Sequence, residues 1–168
     1  MLSILKRAHD GLTRASFGAA ILCLAFIAAG FCYEVVARYF FNAPTNWAHP
    51  FTSYALCLMI FLALPAMTQA SGHISIDILF EHVTPGAAAV LRKFGMLIGL
   101  VACIAAAWIT GTETVAQFIG NIFTIAHQPL PKWTISFAVP YGFFSAGLYF
   151  ARQLCGEVPA VAAEQVAV

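Results

Sequence analysis

Four stretches of this chain, residues 15–36, 51–68, 94–112 and 133–151, contain a single formally charged side chain among them, Glu34. The hydrocarbon core of a bilayer takes about 20 apolar residues per helical crossing, and each stretch is close to that length. Backbone N–H and C=O groups in lipid must be paired within the protein, so isolated strands are excluded and the stretches read as helices. Composition agrees. Only 9% of the residues are charged, with 8 Lys+Arg and 7 Asp+Glu, and 61% are hydrophobic. A soluble surface needs roughly 25–35% charged residues. An ordinary soluble enzyme, a disordered protein and a nucleic-acid binder with a basic footprint are therefore excluded. The 168 residues suit one membrane domain, and four crossings leave no room for a soluble catalytic domain.

The N-terminus resembles a signal peptide, because Lys6, Arg7 and Arg14 precede an apolar run. That run is too long for a signal h-region of about 7–15 residues, and Phe31 rather than a small residue precedes Cys32. An uncleaved first span is expected. Residues 1–14 read as a short interfacial helix of their own.

Lys and Arg in the connections set orientation. Six of them (Lys6, Arg7, Arg14, Arg92, Lys93, Arg152) fall on one side, against Arg38 and Lys132 on the other. This predicts both termini in the cytoplasm. Trp47, Trp108 and Trp133 then all fall at the outer interface, with Tyr33, Tyr39, Phe40 and Phe41 beside them, as amphipathic rings prefer.

Between the second and third spans, residues 73–83 read HISIDILFEHV. Ile76, Leu79, Phe80 and Val83 make an apolar stripe at helical spacing, and His73, Asp77 and Glu81 line the other side. Ile74, Ile76, Ile78 and Phe80 also alternate as a strand would, but a lone strand beside a membrane leaves unpaired edges. A short amphipathic helix lying on the cytoplasmic interface is the expectation, ended by Thr84-Pro85-Gly86. The tail, 156–168, is Ala/Val-rich and uninformative. No internal repeat is evident, which weakens a self-sufficient transporter built from inverted repeats.

Chemistry inside the membrane is hard to find. A mid-bilayer charge would mark a functional site by default, and none is present. Glu34 and Arg38, at i and i+4 near the outer end of the first span, suit a helical ion pair. Glu113 reads as a solvated carboxylate near the end of the third span. The five histidines lie away from the apolar centres, so bis-His haem ligation is not set up. Zinc would need clustered ligands, yet His73 and His82 are nine residues apart and the five cysteines form no CxxC pair. The cysteines read as small hydrophobes. Pro140, inside the fourth span, should kink it, either for packing or to fit a partner. These residues describe a helical bundle without substrate chemistry of its own, more suited to a subunit than to an enzyme. A self-contained four-helix exporter and a membrane anchor for a redox complex are the alternatives.

Specific motifs narrow the choice. Arg38-Tyr39-Phe40-Phe41-Asn42-Ala43-Pro44-Thr45-Asn46-Trp47 follows the first span, and Gly72-His73-Ile74-Ser75-Ile76-Asp77 follows the second. Leu130-Pro131-Lys132-Trp133 and Val139-Pro140-Tyr141-Gly142-Phe143 mark the fourth. In order and spacing this resembles the small membrane subunit, of the DctQ type, of the tripartite ATP-independent periplasmic (TRAP) transporters, over residues 15–152. That family usually carries acidic residues just after the tryptophan. Here the stretch is Trp47-Ala48-His49-Pro50, so His49 would stand in as a hydrogen-bonding group and Pro50 suits a first helical turn. The resemblance implies an all-α protein of the bacterial inner membrane, partnered by a large multi-span permease subunit and a periplasmic binding protein that captures an organic acid, often a carboxylate. It implies no cofactor in this chain, with sodium coupling housed in the large subunit. It also suggests structural or interface roles: Arg38, Trp47 and His49 at the outer corner, His73 and Asp77 on the interfacial helix, Trp133 and Pro140 in the fourth helix.

Overall fold

A computed structural model of the chain describes residues 2–43, 45, 48–70, 85–124 and 129–156. The expected interfacial helix over 73–83 lies outside the described residues. What is described is helical: α1 (Leu2–Phe40), α2 (Ala48–Ala70), α3 (Pro85–Ile119), α4 (Trp133–Ser136) and α5 (Ala138–Leu154). With α4 and α5 taken together, four helices are long and apolar enough to cross a membrane: Lys6–Phe40, Pro50–Ala70, Lys93–Ile119 and Trp133–Leu154. The protein is an all-α, multi-pass membrane protein.

Two helices outrun the bilayer. At about 1.5 Å per residue, the 39 residues of α1 and the 35 of α3 far exceed a hydrocarbon core of about 30 Å. Residues 2–14 are therefore not a separate interfacial helix. They continue α1 without a break, since nothing there stronger than Gly11 interrupts it and their polar face finds partners on α5. The third helix likewise starts at Pro85, nine residues ahead of its apolar run, where the missing N–H has no intrahelical partner to lose. Asn42 (φ 50) and Asn121 (φ 46) take the left-handed conformation that reverses the chain after α1 and α3. After α3 the reversal is a Schellman turn, Ile122 N–H bonding Gln117 O and Asn121 N–H bonding Phe118 O. The chain then closes a short antiparallel contact, Thr124 N–H to Leu130 O at 2.9 Å and Lys132 N–H to Ile122 O at 2.9 Å, that leads it back into α4.

The helices form a row rather than a closed bundle. α1 packs on α2, α2 on α5, and α5 on α3. Neighbours meet through small residues. On the α3–α5 side, a Cβ added at Gly99 would touch the Phe150 ring, Gly147 faces Cys103 Cβ, and Gly111 faces Pro140 Cβ, which fixes an antiparallel register. α5, in the middle of the row, buries Ala138, Gly142, Ser145, Ala146, Gly147 and Tyr149. α1 and α3, at its edges, leave long apolar faces exposed.

Both intramembrane prolines sit where a neighbour uses the carbonyl they release. Proline lacks the N–H that would bond residue i−4. Pro65 is fully buried, and α2 runs through it rather than ending there. It frees the carbonyl of Phe61, and a Cβ at Gly142 of α5 would lie only 2.5 Å from that oxygen. Only glycine allows this approach, a geometry suited to a Cα–H···O contact. Pro140 frees Ser136 O, which lies 3.5 Å from Thr114 Oγ1 on α3. Between α4 and α5 the backbone at Phe137 stays helical (φ −62, ψ −26), and Phe137 N–H still bonds Trp133 O at 3.0 Å.

Candidate functional site

The polar residues gather at the two ends of the row. At the end that carries both termini, the first turns of α1 meet the last turns of α5. His9, Thr13 and Ser16 fall on one face of α1 at i, i+4, i+7, with Asp10 beside them. Ser145, Tyr149 and Arg152 repeat that spacing on α5. The two stripes interlock. Arg152 Nη1 donates to Asp10 Oδ1 at 2.7 Å, with Nη2 3.4 Å from Oδ2. Tyr149 Oη donates to Asp10 Oδ1 at 2.9 Å and lies 3.0 Å from Thr13 Oγ1. A phenol has one proton, so the Thr13 hydroxyl must be the donor in the second contact. His9 Nε2 is 2.8 Å from Ser145 Oγ, and His9 Nδ1 is 3.2 Å from Arg152 Nη1. The His9 ring rests on Tyr149 with centroids 4.5 Å apart, and the Arg152 guanidinium lies 5.0 Å over the same phenol ring. Thr13 and Tyr149 are almost fully buried. α2 joins at its last turn, where Gln153 Nε2 donates to Thr68 O at 3.3 Å.

His9 and Asp10 lie ahead of the apolar run that starts at Ala15.

The opposite end holds a smaller arrangement. The expected ion pair is present: Arg38 Nη2 is 2.8 Å from Glu34 Oε1, one turn apart. The other carboxylate oxygen accepts from the backbone N–H of Thr45 at 3.3 Å and from its hydroxyl. Glu34 thus caps the connection after α1 and ties it to the helix. Trp133 opens α4 at this end and meets Phe118 of α3 edge-on, with centroids 5.3 Å apart. Tyr39, Phe40 and Phe41 are all strongly exposed.

Of the residues singled out from sequence, Arg38 and Trp133 lie at this end, and Pro140 lies about two turns inside it. Trp47, His73 and Asp77 fall outside the described residues. His49 lies in the first turn of α2, with its side chain outside the description. Trp108 is three-quarters exposed, but it is not level with Trp133. The Trp133 ring meets Phe118, ten residues further along α3, which is about 15 Å along the axis. A single interfacial belt of the two rings does not form, because α3 continues well past the end of its apolar run.

The terminal clasp of His9, Asp10, Thr13, Ser145, Tyr149 and Arg152 was missed by reading residues singly. Its signal was present as two polar stripes of matching i, i+4, i+7 spacing in segments that are far apart in sequence. All five cysteines are free. Among the described residues no group of three or more His, Cys, Asp or Glu could hold a metal ion. The polar groups that are brought together hold helices to one another. A groove of about 480 Å³ on the outer face of α3, beside Trp108, is lined by Val101, Ile104, Ala105 and Ile109 and is almost wholly apolar.

This architecture defines a class, a multi-pass helical membrane protein whose polar chemistry braces its own helices. Comparison with known proteins specifies it further. Residues 27–160 match the family described as "Tripartite ATP-independent periplasmic transporters, DctQ component", and the chain belongs to that family. The C4-dicarboxylate TRAP transporter small permease protein DctQ of Pseudomonas aeruginosa is 26% identical over 118 residues, covering 65% of this chain and 53% of that protein. The chain thus spans about half the length of this curated relative. Members of the family are transport components.

Proposed function

We propose that the chain is the small permease subunit of a TRAP-type secondary transporter, a non-catalytic scaffold for a large multi-span subunit. The observation that carries this reading is the row of helices. α1 and α3 present apolar faces along their length, among them Ile21, Leu24 and Phe26 on α1 and Ile98, Val101 and Ile104 on α3. Such a row leaves its two outer helices open and offers broad faces to a neighbouring helical protein, whereas a transporter needs an internal path. In this reading the large subunit carries the substrate and sodium sites. A periplasmic binding protein delivers an organic acid, and the relative's name favours a C4-dicarboxylate. The chain resides in the bacterial inner membrane with both termini in the cytoplasm, following its Lys/Arg distribution. The clasp then faces the cytoplasm and the Glu34–Arg38 corner faces the periplasm. Arg38, Trp47 and His49 serve that outer corner, His73 and Asp77 anchor the interfacial helix, and Trp133 and Pro140 shape the fourth helix against α3.

The test is co-expression of the tagged chain with the large permease subunit, solubilisation in mild detergent and affinity capture. Recovery of a stoichiometric complex that transports in liposomes when the binding protein is added supports the proposal. Transport by the purified chain alone, or a haem absorption band in it, overturns the reading. Alanine at Asp77 that left both complex yield and transport unchanged would remove that residue's role.

A further inference from the structure

The clasp between α1 and α5 contains a histidine whose two ring nitrogens have distinct, assigned jobs. A guanidinium has only donors. Arg152 Nη1 uses one N–H on Asp10 Oδ1, at 2.7 Å, and directs the other at His9 Nδ1, at 3.2 Å. His9 Nδ1 must therefore be an acceptor, and the proton sits on Nε2, which donates to Ser145 Oγ at 2.8 Å. The clasp as built accepts only the neutral Nε2–H tautomer. A second proton on His9 would place an N–H and a positive charge against the guanidinium. Both groups would then donate, with no acceptor between them.

We infer that the His9–Arg152–Asp10 clasp is a proton-sensitive latch. Neutral His9 gives the first turns of α1 a second tie to α5 beside the Asp10–Arg152 pair, and protonation of Nδ1 releases that tie. The geometry supplies both states of the device. Closed, Arg152 bridges His9 and Asp10 while Tyr149 and Thr13 complete the chain of hydrogen bonds. Open, Arg152 keeps Asp10 and the imidazolium turns away to water, which is within reach because His9 is only half-buried. Asp10 is not the switch, since it is paired with Arg152 and an ordinary carboxyl, with a pKa of about 4, is ionised throughout the histidine range.

The charged and titratable neighbours agree with this assignment. On α1 these are Lys6 and Asp10, one turn and one residue away. On α5 they are Tyr149 and Arg152. The ionisable groups of α2, His49, Tyr54 and Cys57, lie toward its other end. α3 stands across α5 from α1. The guanidinium against Nδ1 favours the neutral form of the ring. The sign follows. The latch is closed at neutral and alkaline pH and opens as pH falls below the ordinary histidine range, while Asp10 is still charged.

The experiment uses the full chain in lipid nanodiscs. Amide hydrogen exchange of residues 2–14 is followed at pH 7.5 and 5.5 and corrected for intrinsic rates, and 15N spectra of the imidazoles are recorded alongside. At the higher pH the His9 spectrum should report the Nε2–H tautomer. Protection of 2–14 should fall at the lower pH by about 2- to 12-fold, the range that one net hydrogen bond commands. His9→Gln keeps a neutral acceptor and should abolish the pH response. Asp10→Asn should lower protection at both pH values. Equal wild-type protection at the two pH values, an unchanged response in His9→Gln, or an Nδ1–H tautomer would each overturn the latch. None of these outcomes depends on the large subunit, so they stand apart from the assembly test above.

Discussion

Substituting alanine for Gly142 should part α2 from α5 where they come closest. The new Cβ would stand 2.5 Å from Phe61 O and 3.2 Å from both Phe61 C and Phe61 Cβ, whereas real Cβ atoms essentially never come within 3.0 Å of another heavy atom. The helices must therefore separate locally by at least 0.5 Å, and by 0.9 Å to reach ordinary contact at 3.4 Å. Overpacking costs roughly 1–3 kcal/mol, and the nearest colliding atoms are main-chain, which cannot rotate aside. Alanine returns roughly 0.8–1.0 kcal/mol of helix propensity. The net loss should be about 0–2 kcal/mol, up to roughly 30-fold in the folding equilibrium, and about 1–3 kcal/mol relative to a glycine-to-alanine change in open space. Equilibrium unfolding by SDS titration in mild-detergent micelles, followed by circular dichroism, would measure it. Gly95→Ala is the control, because nothing lies within 4 Å of its new Cβ; it should be neutral or slightly stabilising. Pro65→Ala tests the cause. Residue 65 would regain an N–H to draw Phe61 O back into its own helix, so the Gly142→Ala penalty should shrink in that background. Gly142→Ala as stable as Gly95→Ala would refute the argument.

Other expectations follow from the two ends of the row. Tyr149→Phe removes the proton given to Asp10 and leaves the buried Thr13 hydroxyl without its partner; a loss of about 1 kcal/mol in the same unfolding assay is expected. Arg38→Met should leave stability unchanged within error, because the Arg38 side chain is 61% exposed and pairs with Glu34 at the surface. A measurable loss there would mean that the corner carries structural load. Trp133→Ala should cost at least the roughly 0.5–1.5 kcal/mol of an edge-on aromatic pair. It should also raise hydrogen exchange in residues 114–119 of α3, the turn that the ring covers.

Much of the architecture was legible because a bilayer imposes a simple rule. Backbone groups must be paired within the segment, so an uncharged run of about 20 residues becomes a helix almost regardless of detail. Glu34 and Arg38 were legible for the same reason, since their pairing is local, one turn apart on one helix. The ends of α1 and α3 were not. Beyond the apolar runs the lipid rule no longer applies, and helix continuation depends on partners elsewhere in the chain. For residues 2–14 those partners are Ser145, Tyr149 and Arg152, more than 130 positions away.

Taken alone, the sequence determined that this is a four-helix membrane protein, and its motifs pointed to the DctQ component of TRAP transporters. Apolar length and ordered local motifs are one-dimensional properties, and no tertiary contact is needed to read them. Only the tertiary structure decided that the helices stand in a row, that Pro65 and Gly142 belong to one contact, and that Asp10 answers Arg152. Those facts depend on which faces meet. In lipid, where apolar side chains gain little by leaving one another for the solvent, that choice falls to close backbone approach and a few polar pairs. Residues that look unremarkable in sequence (a glycine, a proline, a histidine near the N-terminus) carry it here.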